Sequence, residues 1–161
     1  MGMGALGILV VFFLFTPFHR VLTITTVKTA ERLGCIMMRE GEEFIFSILH
    51  SVNKRPVYDT IRVEGDRLLI VKSRFDSLGG GMPDASTDTM KLQSDKDGWL
   101  ELILNHSVPE ITFFLGWVAN HSLQIKGRNI PLTSLAEPGT LLSLRIQKMS
   151  YYDLWKNGCS E

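Results

Sequence analysis

The chain begins with a continuous run of apolar residues that carries no charge. Residues 1–18 read MGMGALGILVVFFLFTPF, and the first charged side chain of the protein is that of Arg20. Because a charged side chain is costly at the centre of a bilayer, a charge-free run of this length predicts a membrane segment. A full span needs roughly 20 residues, so we expect His19 and Arg20 to reach the interface and residues 21–22 to complete the crossing. The pattern therefore predicts a transmembrane anchor over residues 1–22.

A cleaved signal peptide is the main alternative interpretation of this run. Such a peptide has a basic start and a small-x-small cleavage site, but the run begins without Lys or Arg and the segment TPFHRVL has no such site. A buried core helix is disfavoured because the apolar residues cover every face. The triplet Leu33-Gly34-Cys35 is similar to a lipoprotein signal, but it lies far from the run and follows Arg32. An uncleaved single-span anchor is the favoured interpretation.

The residues after the anchor do not decide on which side of the membrane the rest of the chain lies. Arg20 and Lys28 come after the apolar run, and the positive-inside tendency would place the remainder of the protein in the cytoplasm. The two cysteines, Cys35 and Cys159, either pair in an oxidising compartment or stay free in a reducing one.

After the anchor, the pattern changes to short apolar runs separated by turn residues. Glu64-Gly65-Asp66 predicts one hairpin, and Asp95-Lys96-Asp97-Gly98 predicts a second hairpin within residues 89–104. Further turns are expected at residues 127–129 and 137–139. The other predicted strands are residues 21–27, 43–49, 57–63, 67–71, 110–117, 122–125 and 141–147. Eight to ten short strands predict a mainly β domain over residues 23–161, an antiparallel sandwich or barrel.

Two segments depart from the strand pattern. Residues 76–88 contain three glycines and a proline, which predict a loop. Ser150 to Lys156 (SYYDLWK) is the one segment with a helical pattern. Its apolar side chains either pack on the sheet, which is the favoured interpretation, or lie at a membrane interface. These side chains are Tyr151, Tyr152, Leu154 and Trp155.

Charge and candidate chemistry narrow the function classes. The chain has 161 residues and a formal net charge of zero, which favours one domain and argues against nucleic-acid binding. Three His-Ser pairs occur, at His50, His106 and His121, but no Gly-x-Ser-x-Gly turn surrounds them. Neighbouring residues of a strand point to opposite faces, so each His is poorly placed to activate its Ser. We therefore expect these residues to bond free backbone groups at strand ends, and we expect no enzyme activity, metal or cofactor.

A more specific pattern extends from Glu42 to Pro83. It runs through Leu49-His50-Ser51-Val52, Arg55-Pro56-Val57, Asp59 and a hairpin, and it ends in Gly79-Gly80-Gly81-Met82-Pro83. This quarter of the chain resembles the small proteins of unassigned function encoded beside TAXI-type TRAP transporters. In that family an apolar strand runs into His-Ser-Val, and a basic segment, Pro-Val, an acid, a hairpin and Gly-x-Gly-Met-Pro come next. The chain departs from the pattern at Asp59, where Glu is more frequent, and at Gly80, where Ala is frequent.

The resemblance implies a non-catalytic accessory subunit of a TAXI-type TRAP transporter. These secondary transporters take up organic acids on a sodium or proton gradient with the help of a soluble substrate-binding protein. The implied location is the bacterial inner membrane, single-pass, with the β domain in the periplasm, which opposes the positive-inside tendency. The implied partners are the membrane subunits and the binding protein; a stand-alone, membrane-tethered ligand-binding module is the alternative. The expected contact residues are His50, Ser51, Lys54, Arg55, Asp59, Gly79, Gly80, Gly81, Met82 and Pro83.

The chemistry of these residues suggests simple roles. His50 and Ser51 offer donors at a strand end, and Lys54 and Arg55 add positive charge beside them. We expect Asp59 to pair with one of these two cations. Glycines at 79–81 permit close approach of a partner's backbone.

Overall fold

Two antiparallel β-sheets form the described part of the chain. The structure, a computed structural model, describes residues 12–50, 54–76 and 91–160. The strands are β1 (His19–Thr26), β2 (Arg32–Met38), β3 (Glu43–Leu49), β4 (Pro56–Glu64), β5 (Arg67–Phe75), β6 (Lys91–Ser94), β7 (Leu100–Val108), β8 (Ile111–Phe114), β9 (Ser122–Ile125), β10 (Arg128–Pro131) and β11 (Leu141–Met149). One sheet has the order β2-β1-β11-β8, and the other has the order β10-β9-β3-β4-β5-β7-β6. The prediction of a mainly β, sandwich-like domain is confirmed.

The main core lies between the two sheets. In β3, Phe44 and Phe46 are buried while Glu43 is exposed, as expected for a strand with one covered face. Leu22 and Ile24 of β1 belong to the same core cluster. On the other face of the smaller sheet, Val21 packs in a second cluster, so β1 is covered on both sides.

This double burial corrects the end of the predicted anchor. The prediction that residues 21–22 complete a membrane crossing is wrong, because β1 begins at His19 and both residues are completely buried in the sandwich. Their backbones pair with β11 on one side and β2 on the other. Residues 12–15 are helical, and residues 1–11 lie outside the described part of the chain. Within the described residues, none of the helices has the length and apolar character of a membrane span.

Two strands differ from the sequence prediction. β2 is missed because RLGCIMM mixes a charge, a glycine and a cysteine without alternation. β10 occupies residues that were expected to form a turn at 127–129. The turn lies one residue earlier, at Lys126 and Gly127, which both have positive φ values (50° and 72°). Two consecutive residues of this kind match the right-handed twist of a tight hairpin.

The predicted C-terminal helix is confirmed and spans Tyr151–Asn157. Ser150 caps it, with its hydroxyl accepting from the Asp153 N–H while the Asp153 carboxylate accepts from the Ser150 N–H. Leu154 packs on the domain, but Tyr151, Tyr152 and Trp155 are exposed. The favoured packing interpretation therefore holds for Leu154 and is wrong for the three aromatic residues.

Cys35 and Cys159 form a disulfide, which resolves the alternative that the sequence left open. The bond joins β2 to the segment after the C-terminal helix. Ser160 continues this contact, since its N–H donates to the Cys35 carbonyl and its carbonyl accepts from the Met37 N–H. Stable disulfides are typical of oxidising compartments, so the bond indicates an extracytoplasmic domain.

Candidate functional site

Several loop residues gather at one end of the sandwich, which we call the distal end (residues 50, 54–55, 76, 115–121 and 137–140). Pairing places Leu49 opposite Pro56 in the larger sheet and Phe114 opposite Leu141 in the smaller one. The Leu49 N–H donates to the Ala119 carbonyl at 2.6 Å, which joins the two sheets there.

The opposite end, which we call the proximal end, contains the start of β1. His19 pairs with Met149 there, next to the C-terminal helix. Arg20 joins the sheets at this end, because its Nε donates to the Gly65 carbonyl at 2.8 Å. β11 extends between the two ends over nine residues, which is about 26 Å at the usual rise of a strand. The N-terminal apolar run therefore approaches the domain at the end opposite to the distal loops.

Three predicted contact residues come together at the distal end. The His50 N–H donates to the Arg55 carbonyl at 2.8 Å, and the Lys54 N–H donates to the His50 carbonyl at 2.9 Å. Lys54 has a φ of 54°, which is a left-handed conformation, and it is exposed. The two hydrogen bonds therefore hold Lys54 and Arg55 next to His50.

Arg55 forms an ion pair, but its partner differs from the predicted one. Its Nη1 lies 2.9 Å from Asp76 Oδ2, across the ends of β4 and β5. The Arg55 side chain is still 60% exposed, so it remains accessible to a partner protein.

Asp59 lies inside the sandwich rather than on the contact surface. It faces the same side of β4 as Val57 and Ile61, opposite Phe46 of β3, and it accepts a hydrogen bond from the Ser73 hydroxyl. Burial raises the pKa of Asp59, and the Ser73 hydroxyl partly opposes that rise. The expectation that Asp59 pairs with Lys54 or Arg55 is therefore wrong.

The remaining predicted contact residues fall outside the described residues. They are Ser51, Gly79, Gly80, Gly81, Met82 and Pro83.

Sequence reasoning missed an exposed apolar group at the distal end. Trp117 is 80% exposed, and Phe114, Val118 and Val27 are also exposed. Val27 and Phe114 lie on either side of Leu141 of β11, because the Val27 N–H donates to the Leu141 carbonyl and Phe114 pairs with Leu141 from the other side. Exposed apolar residues that gather in one place are typical of protein contact surfaces, and Trp is enriched among residues that dominate binding. The available signal was the loop sequence after Gly116, which the prediction treated as the end of a strand.

The other two His-Ser pairs lie in β7 and at the start of β9, and His121 has a structural role there. His121 is buried beside the rings of Phe113 and Phe46, at centroid distances of 5.1 and 5.8 Å. Its Nδ1 accepts from the Gly116 N–H at 3.4 Å, which confirms for His121 the prediction that such residues bond free backbone groups. Burial lowers the pKa of His121, so the ring is neutral at pH 7.

The serines of these pairs bond elsewhere. The Ser122 hydroxyl lies 2.7 Å from that of Ser47, and the Ser107 hydroxyl accepts from Arg67 Nε at 3.0 Å. Neither hydroxyl is directed to the histidine beside it in sequence. In residues 12–50, 54–76 and 91–160, no three His, Cys, Asp or Glu side chains are grouped to hold a metal ion.

The outer face of the larger sheet carries two adjoining open grooves, of about 550 and 480 Å³. They share the side chains of Ile45, Thr60, Lys72 and Gln124. Lys72 pairs with Glu101 at 2.5 Å, and this contact is the main reason that the pKa of Glu101 is lowered.

A second cation flanks these grooves. Arg74 lies 4.8 Å from the centre of the Trp99 ring and pairs with Asp95 at 2.7 Å. Nearby carboxylates thus neutralise both Lys72 and Arg74.

The fold and the disulfide together define a class, that of small extracytoplasmic β-sandwich domains. Within that class the chain belongs to the family described as Domain of unknown function (DUF1850), whose model matches residues 44–132, just over half of the chain. The matched part extends from the second residue of β3 to the first residue of the short 3-10 helix after β10 (Leu132–Ser134), and so contains all of the larger sheet except Glu43, together with β8. Comparisons with curated proteins and with solved structures found no match.

Proposed function

We propose that the protein is a non-catalytic accessory subunit of a TAXI-type TRAP secondary transporter for organic acids. In this proposal the N-terminal run tethers it to the bacterial inner membrane as a single span, and the β domain lies in the periplasm. The observation that carries the proposal is the position of His50, Lys54 and Arg55. They lie beside an exposed apolar group, at the end of the sandwich opposite to the tether.

The location in the proposal combines two independent features. The Cys35–Cys159 disulfide favours the oxidising side of the membrane. The uncharged run over residues 1–18 ends immediately before β1, so no linker separates the membrane segment from the domain. The weak charge preference of Arg20 and Lys28 for the cytoplasm is outweighed by the disulfide.

The distal end suits a soluble partner more than a membrane-embedded one. With the tether at the proximal end, the distal loops are separated from the start of β1 by about the 26 Å length of β11. A substrate-binding protein in the periplasm can reach this surface, and Trp117 with Phe114 supplies the apolar centre of a contact. Arg55 and Lys54 supply charge at its edge, which steers association more than it adds affinity.

Co-purification of the full-length chain in mild detergent tests the proposal. We expect both the membrane subunits and the binding protein to be recovered with it. A Trp117→Ser variant should lose at least about tenfold in affinity for the binding protein, as expected for a central aromatic residue, and should keep the membrane subunits. Arg145→Ser is the control, because Arg145 is exposed in the middle of β11, away from both ends of the sandwich. Full uptake of organic acids in a deletion strain would refute an accessory role.

The outer-face grooves support a second candidate, a stand-alone, membrane-tethered ligand-binding module. Their lining combines an aromatic side chain, Trp99, with polar groups such as Gln124 and Thr60, which is the composition of many small-molecule sites. A panel of organic acids should then raise the melting temperature of the domain, and Trp99→Ala should abolish the rise. No shift with any compound would count against this candidate.

A further inference from the structure

Exposed aromatic side chains from both ends of the chain meet at the proximal end. They are Phe12, Phe13, Phe15, Phe18, Tyr151, Tyr152 and Trp155, and we call them the aromatic patch. The rings of Phe15 and Tyr152 lie 5.1 Å apart and join the N-terminal segment to the C-terminal helix. Tyr152 and Trp155 are 6.4 Å apart, so the contact continues along the helix.

The C-terminal helix holds its part of the patch firmly. Its start is closed by the Ser150–Asp153 capping box, and Leu154 on its other side is buried against Val21 and Met149. The disulfide at Cys159 fixes the chain just after the helix ends. The three aromatic side chains are therefore presented by a rigid support, and their exposure does not result from a frayed terminus.

The neighbourhood of the patch indicates what covers it. The patch continues directly into an apolar run that carries no charge from residue 1 to residue 19. Tyr and Trp combine an apolar ring with one polar group, and they are enriched where a membrane protein crosses the headgroup region. The acid of the helix, Asp153, is bonded to Ser150 within the capping box, while Lys156 is exposed and can reach lipid phosphates.

We propose that the C-terminal helix lies in the headgroup region of the bilayer, with Tyr151, Tyr152 and Trp155 inserted beside the N-terminal phenylalanines. The domain is then held at the membrane surface at two points, the N-terminal segment and the helix. Two attachments restrict rotation about the tether and hold the distal end away from the lipid. The inference rests on the membrane tether of the proposed function, but it does not depend on a transporter.

Two equally exposed tryptophans at opposite ends of the sandwich provide a matched test. Trp155 is 81% exposed and Trp117 is 80% exposed, so a difference between them in vesicles shows that one of them is covered, and brominated lipid shows whether lipid covers it. The full-length chain is prepared as Trp99→Phe/Trp117→Phe, which keeps Trp155, and as Trp99→Phe/Trp155→Phe, which keeps Trp117. Both variants are reconstituted in phosphatidylethanolamine–phosphatidylglycerol vesicles, and circular dichroism checks that they are folded.

We expect Trp155 emission to shift to the blue and to be quenched by lipids brominated near the headgroup end of the acyl chain. Its quenching by acrylamide should be severalfold weaker than that of Trp117, which should respond to acrylamide only. Equal acrylamide quenching of the two residues, without quenching of Trp155 by brominated lipid, would overturn the inference. Protection of Trp155 from acrylamide without lipid quenching would also overturn it, since a second copy or another protein would then cover the patch.

This result is separable from the proposed function. If Trp155 is not inserted in lipid but the transporter subunits still co-purify, the accessory role stands and the second membrane contact is wrong. If Trp155 is inserted but no transporter subunit co-purifies, the membrane contact stands and the accessory role is wrong.

Discussion

Breaking the Cys35–Cys159 bond should remove much of the stability of the domain. The two cysteines are separated by 124 positions, so the bond closes nearly the whole domain into one loop. The loss of chain entropy in the unfolded state for a loop of this length corresponds to about 5 kcal/mol. Domains of ordinary size are stable by only about 5–15 kcal/mol, so the expected loss is a large fraction of the total.

Alanine is a better replacement than serine for testing this loss. Cys35 is buried with Val21, Met149 and Leu154, so a serine hydroxyl at position 35 would be placed in apolar surroundings at a further cost. The backbone bridge between Ile36 and Ser160 holds the last residues in place, and it opens more readily once the covalent link is absent.

Urea unfolding of residues 19–161, monitored by circular dichroism, measures the effect. Cys35→Ala, Cys159→Ala and the double variant should each lose about the same free energy of unfolding, because the bond is absent from all three. Reductant should lower the stability of the wild type to that level and leave the double variant unchanged. A loss below about 1 kcal/mol in the double variant would refute the reasoning, because it would show that the bond hardly constrains the unfolded chain.

Four further variants test other parts of the structure. A fragment of residues 44–132 should show no cooperative unfolding in urea, because seven of the sixteen residues of the main core cluster lie outside it. Burial of each of these side chains contributes about 2 kcal/mol, so the stabilisation lost with all seven is as large as the total free energy of unfolding of a typical domain. Burial lowers the pKa of His121, so below about pH 6.5 the imidazole takes up a proton more readily in the unfolded state, and the stability of the domain decreases as the pH is lowered. The melting temperature of His121→Gln should therefore decrease less than that of the wild type between pH 7.5 and 5.5, and an equal decrease would contradict this. Burial raises the pKa of Asp59, so as the pH rises above 3.8 this carboxyl group ionises more readily in the unfolded state and the stability of the domain decreases. Asp59→Asn should therefore have a higher melting temperature than the wild type at pH 7, and the difference should disappear below pH 3.8. Ser150→Ala should lose about 1 kcal/mol in urea unfolding through the helix cap, whereas Ser150→Thr should retain most of it.

Local patterns in the sequence were sufficient for most of the strands. β3 and β9 have the bounds that the sequence predicts, because apolar and polar residues alternate along a strand that has one buried face. The hairpins at Gly65 and Gly98 form where glycines with positive φ were expected to turn the chain. The C-terminal helix was also predictable, since its cap and apolar residues lie within one short segment.

Long-range pairing decided the rest. The sequence alone determined an uncharged N-terminal run, a β-rich domain and one helix. It left open whether the two cysteines pair. Only the tertiary structure paired Cys35 with Cys159, moved residues 21–22 from a predicted membrane segment into a central strand, and placed Asp59 inside the sandwich. It also brought Trp117 to the same end as His50 and Arg55, and the N-terminal phenylalanines to the C-terminal helix. The physical reason is that alternation specifies which face of a strand is covered, whereas the neighbours of a strand depend on register and sheet packing between residues distant in the chain.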